Sequence, residues 1–528
     1  MGRGASGQGN ASGPSSKPGS VRLPPPNLIL PSFEDTFSRP PRSHAPLPSG
    51  VLGRTLSVVS AWAGGRKAAP TSTSSTASRI RKSSSIMESG PAALLRKEAT
   101  ASENRLPRTW SVMGNRERER TRGCKEGERV VVIGVHGWFS QGPLAKIFGE
   151  PTGTSIKLAS MMADAVRRQY TAAGLAPPEG ERLTVIPLQG DGKVGDRVDR
   201  LYAALLAKQE WVEAVKQADV LFVAAHSQGC VVATHLLARL IEQDALLAPR
   251  ARIALLAVAG IHHGPFGSLR SGISHYYLNA FESPAASQLF EFSSSTSACS
   301  QQYAAAQRIV LAAGVKVVYV ASVDDQVVPL YSALNASTSH PSILRALYVD
   351  SQAFPRVDFL TNLLAFCVAV RNAGLPDHGL LSLLSASVAG SLYAGEGHSK
   401  CYEEPATYDL VCRYAYEATS PLREPTTRAD EAGPPKGVFE SFEAQQRWNP
   451  YSLPWALRGI LEDAAVRDLY HRDIAKLLRD YSAWAPSTKT LKDVQWRLEP
   501  MRSIPVPPEE EEPEAPAPRS SASSVSKL

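Results

Sequence analysis

The sequence predicts an α/β protein: a doubly wound, mostly parallel sheet with a C-terminal helical appendage and a disordered N-terminal region. Three observations lead to this prediction. Apolar, β-branched runs alternate with amphipathic stretches from residue 128 to about 420. Aromatic and charged residues at helical spacing fill 436–502, and residues 1–127 are rich in Ser, Pro, Gly and Arg. Alternating strands and helices build a parallel sheet that helices cover on both faces.

The N-terminal region carries the positive charge of the chain. Residues 1–129 hold 21 Lys and Arg against 9 Asp and Glu, a net charge of +12, and the remaining residues have a net charge of −5. The folded part is therefore mildly acidic, which disfavours nucleic acid as a partner. With so few apolar residues, 1–127 cannot offset its chain entropy by burial, and we expect it to be disordered.

The cysteines and the hydropathy pattern bound the class of protein. The 6 cysteines are scattered, with no C-x-x-C pair, which favours reduced thiols in an intracellular protein over a disulfide framework or a zinc site. No secretory signal and no clean apolar run of membrane-spanning length is present. Neither a P-loop nor a dinucleotide fingerprint is present, and there is no HExxH, paired His/Cys spacing or EF-hand, so we expect no cofactor and no metal.

The predicted elements follow in order from residue 128. The strands are RVVVIGV, RLTVIPL, DVLFVAAH, ARIALLAVAG, VKVVYVAS and the shorter ILRALYVD. The helices between the first four strands are SIKLASMMADAVRRQY, GDRVDRLYAALLAKQEWVEAVKQA and CVVATHLLARLIEQ. Continuous apolar runs are typical of strands buried on both faces. Ligands of such sheets bind at the carboxyl ends of the strands, which is where we expect the chemistry.

Two insertions are predicted within the domain 128–420, at about 264–313 and 351–395. The second contains the apolar runs FLTNLLAFCVAV and GLLSLLSASVAGSLYAG. These runs fit either a pair of buried helices or a lid that faces lipid and makes peripheral membrane contact. Residues 436–502 are predicted to form the helical appendage, and 503–528 a disordered tail.

Ser227 is the candidate nucleophile. The strand VLFVAAH runs directly into Ser227-Gln228-Gly229 and a helical pattern, which puts the serine on a tight strand-to-helix turn. Ala225 stands where the usual pattern has Gly, so the turn is more crowded. The alternative is an ordinary serine that caps an ordinary helix. A nucleophilic hydroxyl needs a base and an acid that orients the base.

Both partners follow in the expected order. Asp324 and Asp325 come after the strand VKVVYVAS, and His398 lies in a Gly-bounded loop beyond the next strand. The Val328-Pro329 pair that follows favours Asp325 over Asp324 as the acid. We therefore expect Ser227, Asp325 and His398 to act together.

An oxyanion hole needs two backbone amides. We expect the first from Gln228, directly after the nucleophile, and the second from the loop after the strand RVVVIGV. That loop reads His136-Gly137-Trp138-Phe139. The amide of Trp138 is the first choice and that of Phe139 the second.

Further histidines at the same sheet edge are candidates for substrate contact. His136 follows the first strand, and His262 and His263 follow ARIALLAVAG. We expect His136 and His263 to contact substrate. The alternative is that these are loop histidines bonded to the backbone.

Four motifs, VHGWF, AHSQG, DDQVVP and GEGHS, occur in this order on the predicted strands. In this the chain resembles the α/β-hydrolase superfamily over 128–420, and 128–502 as a whole resembles a fungal branch of it. The resemblance implies an esterase- or lipase-like serine hydrolase that cleaves a carboxylic ester or thioester, including lipid esters, through an acyl-enzyme. Ser227 would be the nucleophile, His398 the base and then the acid, and Asp325 the residue that orients His398.

Two other functions stay open. The same fold without chemistry would serve as a scaffold that binds partners. The same three residues would also support acyl transfer to an alcohol.

The chain ends in Ser526-Lys527-Leu528, the tripeptide that the peroxisomal import receptor binds. We therefore expect a peroxisomal location, with the cytoplasm or the mitochondrion as the alternative.

Overall fold

The structure is a computed structural model. It describes residues 26–37, 123–138, 153–243, 247, 251–270, 284–354, 357–389, 397–418, 437–445 and 447–504. Phe139, the second choice for an oxyanion amide, and the C-terminal Ser526, Lys527 and Leu528 lie outside these residues, as does most of 1–127.

A seven-stranded sheet forms the centre of the described fold. The strands of the fold are β1 (Leu28–Leu30), β2 (Val130–Val135), β3 (Leu183–Leu188), β4 (Val220–His226), β5 (Arg252–Val258), β6 (Lys316–Ser322), β7 (Thr338–Ser339), β8 (Ile343–Val349) and β9 (Val438–Phe439). In the large sheet the order is β1-β8-β6-β5-β4-β2-β3, and only β1 runs antiparallel to its neighbour. Strands β7 and β9 pair separately.

The helices surround this sheet. They are α1 (Phe33–Phe37), α2 (Thr154–Ala172), α3 (Val194–Leu206), α4 (Gln209–Lys216), α5 (Gln228–Glu242), α6 (Pro284–Glu291), α7 (Ala298–Ala312), α8 (Leu330–Ala333), α9 (Phe359–Asn372), α10 (Leu380–Val388), α11 (Gly397–Lys400), α12 (Pro405–Glu417), α13 (Leu453–Glu462), α14 (Ala464–Ala483) and α15 (Lys489–Arg497). Short 3₁₀ turns lie at Gly180–Arg182, Gly267–Arg270, Pro450–Ser452 and Glu499–Ser503.

The sheet is buried on both faces, as the continuous apolar strands predict. Val131 and Ile133 of β2 join a core that includes residues of α3, α5, α7, α9 and the C-terminal helices. Val130 and Val132 point to the opposite face, where α2 and α12 cover the sheet. Because side chains alternate along a strand, each strand contributes to both cores. The predicted doubly wound α/β fold is confirmed.

The N-terminal region contains a folded segment, so the prediction of disorder is wrong for residues 26–37. Strand β1 pairs with β8, the edge strand of the parallel sheet, and Leu30 lies opposite Leu347. The side chain of Asn27 accepts from the backbone N–H of Ser351 at 3.0 Å and donates to Glu404 at 3.0 Å. Pairing satisfies backbone groups of β8 that a bare edge would leave open.

The two predicted insertions have different outcomes. The C-terminal half of 264–313 is wrong as an insertion, because it forms α7, the crossover helix between β5 and β6, which packs on α5. In 351–395 the apolar runs form α9 and α10, whose apolar side chains lie in the core. The structure therefore supports buried helices over a lipid-facing lid. No helix among the described residues is long and apolar enough to span a membrane.

The C-terminal helices α13 to α15 form the predicted appendage and share one core with the sheet. Asp358 caps the N-terminus of α9 and also accepts a hydrogen bond from the indole N–H of Trp484 at 2.9 Å. This bond joins the appendage to the helix that packs on β8.

The register of the sheet brings the candidate site together. Val135 at the end of β2 pairs with Ala225 of β4, and Ala225 pairs with Ala257 of β5. Val258 in turn pairs with Val320 of β6. The carboxyl ends of β2, β4, β5 and β6 therefore lie side by side, and predicted site residues follow each of these four strands.

Candidate active site

Ser227 lies at the junction of β4 and α5 with φ 56° and ψ −126°. A positive φ is rare for a residue with a β-carbon and costs on the order of 1–3 kcal/mol. Its backbone N–H donates to the carbonyl of Val258 at 3.0 Å, and its side chain makes no capping bond to α5. Ser227 is therefore not an ordinary helix cap, because its hydroxyl does not bind the amides at the start of α5.

Two glycines make room for this turn. A β-carbon at Gly229 would lie 2.3 Å from the carbonyl oxygen of His136, and one at Gly137 would lie 2.9 Å from the β-carbon of Ser227. Both distances are shorter than atoms tolerate. Ala225 is fully buried, and its methyl group fits where the usual pattern has Gly. The departure at this position leaves the turn intact.

The acid loop brings Asp325 to His398. One carboxylate oxygen of Asp325 accepts from the backbone N–H groups of Val327 (2.7 Å) and Val328 (2.9 Å). The other lies 2.8 Å from Nδ1 of His398, and both side chains are only 2% exposed. Asp324 instead accepts from the hydroxyl of Ser322 at 2.9 Å. The geometry agrees with the choice of Asp325 as the partner of His398.

His398 lies beside the strand–helix junction. Nε2 of His226 donates to the carbonyl oxygen of His398 at 3.0 Å, and the two rings are 4.6 Å apart. Because His226 directly precedes Ser227, this contact places His398 next to the elbow. Nδ1 of His398 donates to Asp325, so its Nε2 is the nitrogen that is left to accept a proton. Burial, and next the charge of His398, holds the pKa of His226 well below its usual range, so His226 is neutral.

A salt bridge fixes the helix that carries His398. Lys400 donates to Asp350 at 2.8 Å, and Asp350 directly follows β8. Burial alone would raise the pKa of Asp350, but the hydrogen bond from Lys400 lowers it below its ordinary value. The predictions from sequence did not include Lys400, because nothing in a single basic residue shows which carboxylate it will meet.

The loop after β2, in which one amide of the predicted oxyanion hole lies, is bonded to Arg197 of α3. Its guanidinium donates to the side-chain oxygen of Gln228 at 2.7 Å and to the carbonyl oxygens of His136 (2.8 Å) and Gly137 (3.3 Å). The sequence did contain a signal for it. Arg197 occupies the apolar stripe of its helix, one residue before Val198, where a charged side chain has no ordinary reason to be buried.

His136 is bonded to the backbone on both ring nitrogens. Nε2 accepts from the N–H of Gly190 at 3.2 Å, and Nδ1 donates to the carbonyl of Gly137 at 2.6 Å. Burial, and next the charge of Arg197, lowers its pKa to about 4. His136 thus fits the alternative of a loop histidine that shapes the backbone, and its contact with substrate stays a prediction.

His262 and His263 line a separate cavity of about 210 Å³. Nδ1 of His262 lies 2.7 Å from the hydroxyl of Tyr303. His263 stacks on Phe442 at 4.3 Å, and its backbone N–H donates to Ser332 at 2.9 Å. Contact of His263 with substrate also stays a prediction. Among the described residues no group of three His, Cys, Asp or Glu could hold a metal ion.

The sequence matches the YMC0/YMC35 alpha/beta hydrolase domain over residues 102–464. The chain belongs to this α/β-hydrolase family. The match confirms the resemblance to the superfamily and makes the protein a hydrolase in kind. The fungal origin stays a prediction, and no curated protein matches the chain.

Solved structures show remote likenesses to this α/β hydrolase. Phospholipase PlaB from Legionella pneumophila is 15% identical over 40% of this chain and 46% of its own, with a TM-score of 0.27. A structure of the metagenome-derived lipolytic enzymes LipS and LipT is 13% identical over 43% of this chain and 91% of its own, with a TM-score of 0.24. CarC, a serine hydrolase involved in carbazole degradation, is 12% identical over 43% of this chain and 84% of its own, with a TM-score of 0.20. The aligned part spans less than half of PlaB, and at these scores the likenesses carry no argument about function.

Proposed function

We propose that the protein is a serine hydrolase that cleaves a carboxylic ester or thioester through an acyl-enzyme. The observation that carries this proposal is the buried 2.8 Å contact between His398 and Asp325, beside a serine held at positive φ. A strained serine, a base and an orienting acid are the three groups that nucleophilic acyl chemistry needs.

Each residue has one role in the reaction. The hydroxyl oxygen of Ser227 attacks the acyl carbon while Nε2 of His398 takes its proton, and Asp325 stabilises the resulting imidazolium. The amides of Gln228 and Trp138 bind the oxyanion. His398 then gives the proton to the leaving alcohol or thiol. Water then loses a proton to His398 and attacks the acyl carbon. The bond to Ser227 breaks, the carboxylic acid leaves, and His398 returns the proton to the Ser227 oxygen.

The substrate class follows from this chemistry rather than from a lipid-binding lid. Helices α9 and α10 are buried in the core, so their apolar character is accounted for without a lipid. Lipid esters remain within the class of esters. Acyl transfer to an alcohol uses the same residues and differs only in the acceptor, so product analysis separates it from hydrolysis.

Labelling with a fluorophosphonate probe tests the proposal, because the probe reacts with a serine that a base activates. Wild type is expected to be labelled, and Ser227→Ala not at all. Labelling of His398→Ala should be slower by roughly 10²-fold or more, the usual effect of losing a general base. Ser160→Ala, an exposed serine on α2, is the matched control and should be labelled like wild type.

Two results would contradict the proposal. Folded wild-type protein that takes up no label would favour the scaffold alternative. Labelling that persists in Ser227→Ala would assign the nucleophile to another residue.

A further inference from the structure

Arg197 is a buried cation that makes no salt bridge among the described residues, although the charge of Asp191 acts on it and, against the effect of burial, raises its pKa. It is 0% exposed, and among the described residues no Asp or Glu forms an ion pair with it. Its Nε has no hydrogen-bond partner among the described residues. Burial lowers its pKa to about 10, so the side chain still carries its charge at neutral pH. An unpaired buried charge destabilises a fold by several kcal/mol in general, so its presence calls for a physical reason.

All three acceptors of Arg197 belong to the segments that meet at Ser227. Two are the backbone carbonyls of His136 and Gly137, and the third is the side-chain oxygen of Gln228. Gln228 directly follows Ser227, and its backbone N–H is the other predicted donor to the oxyanion. The side-chain nitrogen of Gln228 donates to the carbonyl of Gly192 at 3.3 Å, so both the oxygen and the nitrogen of this side-chain amide are hydrogen-bonded. One guanidinium therefore spans both halves of the proposed oxyanion hole.

Because a peptide bond is planar, the contact of Arg197 with the carbonyl of Gly137 also orients the N–H of Trp138. The carbonyl of Gly137 and the N–H of Trp138 belong to one planar trans peptide, so they point in opposite directions. Arg197 and Nδ1 of His136 both donate to that carbonyl. The N–H of Trp138 is thereby turned away from Arg197, while Gly137 itself lies against Ser227.

We propose that Arg197 is a positioning residue of the oxyanion hole. It fixes the Gly137–Trp138 peptide and the Gln228 side chain so that the amides of Trp138 and Gln228 face the oxygen of the substrate that becomes negative. Its positive charge, held behind these amides in a buried site, adds to the electrostatic stabilisation of that oxygen. This role rests on the proposed function, because it needs the acyl chemistry at Ser227.

The planar fork of arginine explains why this residue type is present. Two nitrogen atoms donate in one plane to three acceptors, and a lysine ammonium cannot reproduce that spacing. Lysine would keep the charge and lose the orientation of the loop. The two contributions can therefore be separated by substitution.

The test compares Arg197→Met and Arg197→Lys with wild type on an aryl ester and on its thiono analogue, in which sulfur replaces the carbonyl oxygen. Sulfur accepts hydrogen bonds weakly, so a working oxyanion hole favours the oxygen ester. In Arg197→Met we expect kcat for the ester to fall on the order of 10- to 100-fold with KM little changed, since an intact oxyanion donor contributes at least that much. The rate ratio of ester to thiono ester should fall by a similar factor, and Arg197→Lys should lie between the two.

Arg371→Met is the matched control. Arg371 is also buried, also has an Nε without a partner among the described residues, and donates to the backbone carbonyl of Ala336 on another part of the fold. Its loss should lower the melting temperature without changing the ester to thiono ester ratio.

The outcomes separate this inference from the proposed function. A wild type that neither reacts with fluorophosphonate nor cleaves the ester would overturn the proposed function itself. An active wild type whose ratio is unchanged in folded Arg197→Met and Arg197→Lys would overturn the positioning role alone. Failure of both variants to fold, with Arg371→Met folded, would also overturn it in favour of a purely structural role.

Discussion

The backbone of Ser227 keeps an unfavourable conformation because its neighbours fix it from several sides. The carbonyl of Val258 binds its N–H, and the missing side chains of Gly137 and Gly229 let the oxyanion loop and α5 approach it. The contacts with Val258 and at Gly229 use backbone atoms, and the contact at Gly137 uses the β-carbon of Ser227. The shape of the elbow therefore depends on residue size more than on side-chain chemistry.

Gly229→Ala should therefore damage the site. The added methyl group would lie 2.3 Å from the carbonyl oxygen of His136, which is backbone and cannot move freely. We expect a loss of stability of about 1–3 kcal/mol, the usual effect of overpacking, and a loss of ester hydrolysis. Chemical denaturation and an esterase assay would measure both.

Gly195→Ala is the control for this substitution. A β-carbon at Gly195 in α3 meets no atom within 4 Å, and alanine favours a helix over glycine. We expect a gain of roughly 0.5–1 kcal/mol with unchanged activity. Equal behaviour of the two variants would contradict the assignment of a tight elbow at Gly229.

The two adjacent aspartates offer a sharp comparison. Asp325→Asn keeps the shape of the side chain but can no longer stabilise a charged His398, so kcat should fall by roughly 10³- to 10⁴-fold with little change in KM. Asp324→Asn alters a carboxylate that binds Ser322 instead and should change kcat far less. Steady-state kinetics of both variants would decide, and the reverse order would assign the acid to Asp324.

At this scale the sequence identifies residues whose role follows from their place on a strand end. Ser227, Asp325 and His398 could be predicted because each follows its own strand in a fixed order. The contacts of Arg197 and Lys400 could not, because each partner is distant along the chain; for Arg197 the apolar stripe of α3 signals burial but not the partner. The importance of these two side chains comes from contacts that only the folded structure shows.

Among the elements, β1 and α1 show how a short segment completes a sheet. Leu28–Leu30 is only three residues long and has a proline directly after it, so no strand pattern is visible in the sequence. The segment becomes a strand because β8 supplies a partner. Phe33 adds a buried side chain, and the guanidinium of Arg413 on α12 lies 4.1 Å from its ring.

Removal of residues 1–37 should destabilise the protein. The loss of one large buried side chain alone is worth roughly 2 kcal/mol, and the pairing with β8 is lost as well. Removal of residues 1–25 leaves the segment in place and is the matched control. Urea denaturation of both shortened proteins would measure the difference, and equal stabilities would contradict a role of β1 in the fold.

The strands β2 to β6 and β8 were predictable from sequence because their apolar runs are continuous. The helix α7 was misassigned because few large apolar residues mark its buried face, and the preceding residues resemble a loop. Pattern alone does not distinguish a crossover helix from an insertion when the helix is rich in Ala and Gln.

For the molecule as a whole, histidines buried in the described part of the chain make the fold sensitive to acid. His136, His226, His262 and His263 are all buried, and burial is the largest cause of each lowered pKa. The pKa is about 4 for His136 and about 3 for His263, against an ordinary value of 6.5. Between these values and 6.5 the unfolded chain binds protons that the folded chain does not, so stability falls as pH falls.

The free energy of unfolding should therefore decrease steadily from pH 6.5 to pH 4. His262→Gln keeps a side chain that can bond to Tyr303 and removes one of these groups, so it should reduce the slope. Denaturant titrations at several pH values would measure the free energy of unfolding, and a value that does not change with pH would contradict this account.

The family match and the folded body do not have the same limits. The match runs from 102 to 464, whereas strand β1 lies far before it and α14 begins at its last residue. The unit that sequence comparison defines thus omits a sheet strand and most of the helix that covers α9. A gene fragment cut at those limits would encode an incomplete domain, with one edge of its sheet open to pairing with other chains. For this protein the unit of sequence comparison is smaller than the unit of folding.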